Sequence, residues 1–198
     1  MDSRTEQELF AAQVSRLPPL ADPLSDPVLR AMFDDTRSRG GQILNLHLTL
    51  GHAPKIARAS RTMAYTLRFD AETPRLLREL AIIRTAQLLH AAYEMNQHRP
   101  LGLACGLSEA QIAAMPDWRA SDLFDEPQRA LLAYTEAMVL NRGEVDDATY
   151  AVFARFFSPR EIVELTMTIG SYTSTALVTK ALKIAIETDG RAAAPGKF

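Results

Sequence analysis

Between Thr73 and Gly106 the chain reads TPRLLRELAIIRTAQLLHAAYEMNQHRPLGLACG, and neither glycine nor proline interrupts it from Arg75 to Arg99. Thr73 suits an N-cap and Pro74 the first helical position, so the pattern predicts one long helix, with Gly106 available to cap its end. At about 100° per residue, Leu76, Glu79, Leu80, Ile83, Gln87, His90, Ala91, Glu94 and His98 fall within about 60° of the direction of Glu94. That stripe mixes apolar and ionisable side chains. Ile82, Leu88, Leu89, Ala92 and Met95 point the other way, so the helix is expected to be buried nearly all round.

The rest of the chain reads as helices organised around this one. Residues 4–17 can form a short amphipathic helix, and LPPLADPLSDP after it cannot be helical throughout. Residues 1–26 are therefore read as an arm laid over the body or a neighbouring subunit, with disorder as the competing reading. A short helix is expected from Pro27 to Thr36. The segment ILNLHLTLGHAP has apolar residues at both helical and alternating spacing; a helix ending near Gly51 is preferred, with a strand left open, before a helical APKIARASRTMAYTLRF. Beyond Gly106, Ser108 with Gln111 forms a capping box for a helix stopping before Pro116, and Asp117 and Trp118 sit in a connector. Further helices are expected from Asp125 to about Arg142, from Asp146 through Phe157, and from Ser158 onward. The last is dense in small residues and hydroxyls and places Tyr172 where it could reach a shared cavity. No segment has the rhythm of a sheet, so the fold is predicted to be all-α, with a helical domain over 27–190 and a flexible tail over 191–198.

Composition narrows the function. A formal net charge of −2, a pI near 6.1 and scattered arginines give no footprint for nucleic acid. No run approaches the roughly 18 apolar residues of a membrane span, and MDSRTEQELF has no signal-peptide arrangement, so no membrane partner and a cytoplasmic location are expected. Cys105 is the single cysteine, which excludes an intrachain disulfide, a thiolate metal cluster and a CxxC redox pair. A P-loop, GxGxxG and GxSxG are all absent from the sequence, which leaves nucleotide, Rossmann and serine-hydrolase readings without support.

The candidate chemistry lies on the stripe. Glu94 and His98 are four apart and so in contact range, while Glu79 stands about four turns earlier on the same helix. One reading is architectural, with the carboxylates paired to arginines and His90 and His98 satisfied in the core. The other is a proton-transfer site, since burial raises a carboxyl pKa and an adjacent imidazole moves it again. Two carboxylates, an amide and two imidazoles converge on one stripe, which sets the site reading level with the architectural one. Glu94 with His98 could supply two metal ligands, but no second ExxH or HExxH completes a cage, and neither metal nor cofactor is expected.

The series REL-IIR-AQLL-A-YE--QH followed by GLSEAQI resembles the carboxymuconolactone decarboxylase family, which includes alkyl hydroperoxidase D. The likeness runs from about Asn45 to Ala185 and is strongest over Leu77 to Trp118. It implies an all-helical fold, assembly into homo-oligomers as trimers or hexamers, and active sites between helices near subunit interfaces. In the peroxidase branch the motif is a Glu, two cysteines separated by two residues, and a His; those positions here are Glu79, Ala91, Glu94 and His98. Both cysteines are missing, so peroxidase activity is not carried over. The decarboxylase branch has a Tyr-Glu pair ahead of the His, as Tyr93, Glu94 and His98 stand here, and converts 4-carboxymuconolactone to an enol-lactone without a cofactor. The resemblance thus implies a lyase or isomerase acting on a small lactone or enolisable carboxylic acid, with Glu94, His98 and Glu79 as its acid-base residues. Tyr93, His52, Arg84, Gln87, His90 and Tyr172 are candidates to bind the substrate. Two acidic side chains would repel a substrate carboxylate, so a cation must help, and Arg84 and His52 are the candidates. The alternative is a non-catalytic oligomeric binding protein of the same fold.

Overall fold

The computed structural model describes residues 14–21 and 23–193, and among them the regular structure is helical, with no strand. The helices are α1 (Pro27–Ser38), α2 (Asn45–Leu50), α3 (Pro54–Tyr65), α4 (Arg75–Leu88), α5 (Ala92–Ala104), α6 (Glu109–Ala114), α7 (Glu126–Leu140), α8 (Asp147–Ala154) and α9 (Pro159–Ala181). Short polar side chains start them as the sequence predicts. Asp26, Ser108, Asp125, Asp146 and Ser158 each accept a backbone N–H of the first turn, and Ser108, Asp125 and Ser158 complete capping boxes with Gln111, Gln128 and Glu161. The segment left open between helix and strand is α2, ending at Gly51.

The long central helix is two helices. Its pattern breaks after Leu88, where His90 adopts φ 50°. Ala91 N–H donates to Ala86 C=O and His90 N–H to Gln87 C=O, the paired bonds of a Schellman cap. Histidine is among the residues that tolerate the left-handed region better than most, so the turn needs neither glycine nor proline. α5 then folds back along α4. Gly106 (φ 104°) closes α5 with the same pair of bonds, from Leu107 to Gly102 and from Gly106 to Leu103. Pro100 lies inside α5, where it forgoes one helical bond. At the start of α4 the N-cap is Pro74 rather than Thr73; Thr73 instead gives both its N–H and its hydroxyl to Glu164 Oε2, at 2.8 and 2.6 Å.

α4 is buried from Arg78 through Ala86 without a break. It packs against α5, α7 and α9, so its cover comes from within the chain and its apolar circumference does not itself call for a second subunit. Leu80, Ile83, Leu131, Leu165 and Ile169 centre the main core. A second, smaller cluster joins Leu29, Met32 and Phe33 of α1 to Ala57 of α3. No helix among the described residues is long and apolar enough to cross a membrane.

Both ends of the described segment are tied to this body. The helix expected over 4–17 lies mostly outside the described residues, and residues 14–17 are not helical. Instead they run over the body: Arg16 N–H donates to Leu182 C=O at 2.8 Å, and Ser15 Oγ accepts from Ala185 N–H at 3.0 Å. The tail expected to be flexible is anchored through residue 193. Arg191 donates to Ile43 C=O and to Asn45 Oδ1, and Ala193 N–H donates to Gln97 Oε1 at 2.7 Å; residues 194–198 lie outside the described residues.

Candidate active site

Folding α5 back on α4 changes how the ionisable stripe meets. On a single helix Glu79 would stand far from His98; across the hairpin its Oε2 lies 2.8 Å from His98 Nδ1. Gly102 permits this approach, since a Cβ there would sit 2.6 Å from Ile83 Cδ1 and 3.9 Å from Glu79 Cβ. Arg75, one turn before Glu79, donates to Glu79 Oε1 from Nε at 2.8 Å and from Nη2 at 2.5 Å. Burial alone would raise the Glu79 carboxyl, but His98 and Arg75 outweigh it and hold it down to about 2. Glu79 is therefore ionised, and His98 points its Nδ1–H at it.

That leaves His98 Nε2 facing Glu94, whose Oε2 is 3.8 Å away. The expected Glu94–His98 pair is thus a close approach without a hydrogen bond, and the tight partner of His98 is Glu79. Glu94 is 4% exposed, and its Oε1 has no hydrogen-bond partner among the described residues. Burial pushes its carboxyl up to about 7 against the pull of His98, with Glu187 and Glu79 adding to the rise. Two carboxyls on one hairpin are thereby driven apart, Glu79 to the charged form and Glu94 to the edge of neutrality. Tyr172 of α9 stands edge-on to the His98 ring, with centroids 4.7 Å apart, and burial keeps its phenol protonated.

Glu94, His98 and Tyr172 line a cavity of about 790 Å³, within the range of small-molecule pockets. Tyr93, Glu94, Gln97 and His98 form its wall on the α5 side, and Met32, Ala57 and Arg61 its wall on the α1–α3 side. Between them a π-helical turn, Thr66–Asp70, extends α3 and brings Arg68 and Phe69 to the wall. Such turns recur at functional sites. Tyr93 lines the cavity but its hydroxyl is engaged, donating to Glu187 Oε1 at 2.8 Å and accepting from Leu46 N–H at 3.3 Å. The same Glu187 accepts from Gln97 Nε2 at 2.7 Å and Asn45 N–H at 2.6 Å. Among the described residues no group of three or more His, Cys, Asp or Glu is arranged for a metal ion.

Four sequence candidates lie away from this cavity. Arg84 is buried against Glu136 Oε1 (Nη2 at 2.5 Å, Nε at 3.1 Å), a carboxylate also held by Trp118 Nε1 and Arg119 Nη1. Gln87 donates to Ile112 C=O and accepts from Arg84. His90 is exposed at the turn, and the exposed His52 contacts Pro18 C=O at 2.9 Å through Nε2. The helical-wheel stripe placed Gln87 and His90 beside Glu94 because it assumed an unbroken helix. In their place the cavity contains His47, Arg61, Arg68 and Gln97, with Arg75 and Glu187 behind it. Only Arg75 had a sequence signal, four residues before Glu79.

Residues 54–137, which carry Glu79, Glu94 and His98, match the model of the carboxymuconolactone decarboxylase family. An uncharacterized protein of Escherichia coli K12, YnjA, is 35% identical over 77 residues, which are 39% of this chain and 42% of that protein, so the match spans less than half the relative's length. Among solved structures, an uncharacterized peroxidase-related protein from Ralstonia eutropha JMP134, described as an alkylhydroperoxidase AhpD core, aligns with TM-score 0.74 and 17% identity, covering 89% of this chain and 94% of its own. The debrominase Bmp8, in complex with 2,3,4-tribromopyrrole, aligns with TM-score 0.72 and 20% identity over 89% of this chain and 94% of its own. At these identities the likeness is one of fold.

Proposed function

We propose that this chain, whose residues 54–137 match the carboxymuconolactone decarboxylase family, is a cofactor-free lyase or isomerase that moves a proton on a small lactone or enolisable carboxylic acid. The observation that carries this reading is Glu94: a buried carboxyl brought to about 7, with one oxygen unpartnered, beside an imidazole that Glu79 orients. A general acid works best when its pKa lies near the working pH. In a decarboxylation, the bond to the departing CO₂ breaks and its electron pair enters the conjugated system as a dienolate. The Glu94 proton then forms the new C–H bond, and solvent returns a proton to the carboxylate. In an isomerisation, Glu94 or His98 takes the proton from one carbon and returns it to another. The Tyr172 hydroxyl, kept protonated by burial, is placed to donate to the developing oxyanion. The same fold serves a debrominase holding a small ring, which supports chemistry rather than passive binding.

A screen of small lactones and enolisable acids, read by CO₂ release and by deuterium uptake from solvent, identifies the substrate. Glu94→Gln and His98→Gln then lower kcat by on the order of 10²–10⁴ in proteins that remain folded. Turnover per folded molecule that survives Glu94→Gln would sink the proposal.

A further inference from the structure

We propose that the cavity wall formed by His47 and Arg61 is a carboxylate subsite, so that the ligand is a small monoanion gripped there with its neutral, reacting end turned toward Glu94 and His98, which selects isomerisation over decarboxylation. This deepens the reading above and rests on it for the identity of the reacting end. Three observations support it. Arg61 is held in place by Thr36, which accepts from Nε at 2.9 Å, and by Asp35, which accepts from Nη2 at 2.7 Å. Its other Nη has no hydrogen-bond partner among the described residues, and the side chain lines the cavity. A guanidinium tethered on one edge and bare on the other is pre-organised for a carboxylate.

His47 supplies a second, uncharged donor. Its Nδ1 accepts the Leu44 N–H at 3.0 Å, which puts the ring proton on Nε2, and the residue lines the cavity. Burial first, then Arg61 and Arg68, push its pKa down to about 4, so this tautomer persists across the neutral range. The charge balance is the third observation. Arg39 and Arg61 share the single carboxylate of Asp35, with Arg39 Nε 2.9 Å from Oδ1. Arg39 and Arg61 thus face one carboxylate between them, an excess of one positive charge among these three residues. On the α5 wall the Glu79 charge is spent on Arg75 and His98, and a second anion beside Glu94 would only raise its pKa further. The cavity therefore has a cationic end and an end that prefers a neutral acceptor.

Benzoate and benzamide, of nearly equal shape, test this by isothermal titration calorimetry on the full chain at pH 7.5. Benzoate has no enolisable proton, so the measurement says nothing of catalysis and can fail while the Glu94 reading stands. Saturable benzoate binding at least tenfold tighter than benzamide is expected, weakened at least tenfold by Arg61→Gln, with Arg61→Lys retaining part of it. Because Arg61→Gln also loosens the Asp35 tether, melting curves accompany each variant. For the wild type alone, benzoate affinity should fall as salt rises from 50 to about 500 mM while benzamide affinity does not. Equal binding of the two probes, no saturable benzoate binding, a salt-independent preference, or benzoate affinity unchanged in Arg61→Gln overturns the subsite.

Discussion

Replacing Glu94 with glutamine should make the protein more stable at alkaline pH while removing its activity. In the fold the Glu94 carboxyl stands at about 7 against an ordinary 4.5, because burial disfavours its charge. Between those two values the folded protein holds a proton that the unfolded chain has released, so stability falls as pH rises through the window and levels off above it. At about 1.4 kcal/mol per pH unit, the gap is worth about 3 kcal/mol. Glutamine keeps the shape and carries no charge, so it resembles the protonated acid at every pH. The two proteins should therefore melt alike near pH 4.5 and diverge by about 3 kcal/mol in favour of the variant by pH 8. Urea denaturation of both proteins at half-unit steps measures this, and the difference between them is the quantity to plot. His47, lowered from 6.5 to about 4, makes stability rise with pH over much of the same range, but it is common to both proteins and cancels. A difference that does not change with pH, or a variant less stable than wild type at pH 8, would show that Glu94 is an architectural ion pair.

Glu79 should behave oppositely: Glu79→Gln leaves half-buried Arg75 and buried His98 without their carboxylate and should lower stability by about 3–5 kcal/mol at neutral pH. Because the folded pKa of Glu79 is about 2 against 4.5, that contribution is present above 4.5 and is lost as pH falls toward 2, which acid denaturation of wild type and variant compares. For Cys105, half-buried and with its thiol raised chiefly by burial, replacement by alanine should change nothing, and no sustained turnover of an organic hydroperoxide with a dithiol reductant is expected; turnover abolished by Cys105→Ala would contradict this.

Much of the architecture was legible because helix starts are local. Asp26, Ser108, Asp125, Asp146 and Ser158 announce themselves by type and by the residues after them, and the structure finds each of them capping. The break at His90 was hidden, since the left-handed turn there is made by a residue whose identity permits it without demanding it. That one turn explains the uneven reading of the site. Glu79, Glu94 and His98 were picked as a group, yet the hydrogen-bonded partner of His98 is Glu79 at 2.8 Å, with Glu94 at 3.8 Å, and Gln87 and His90 were included only because a straight helix would align them. Glu187 and Gln97 were invisible because their contact spans 90 residues of chain. Arg61 and Arg68 carry no signal of their own in the sequence, and α3 and the π-helical turn after it bring them to the cavity wall.

The turn at His90 also divides the labour of the chain by sequence distance. Glu79, Glu94 and His98 lie within one helical hairpin, so the proton machinery is assembled by contacts between near neighbours, with little loop to close and little dependence on the rest of the fold. The opposite wall comes from α1–α3, and Glu187 braces Tyr93 from the far end of the chain. Substitutions in that remote wall can retune what the cavity admits without disturbing how a proton is held, and substitutions in the hairpin do the reverse. A fold divided in this way can change its substrates while conserving its chemistry.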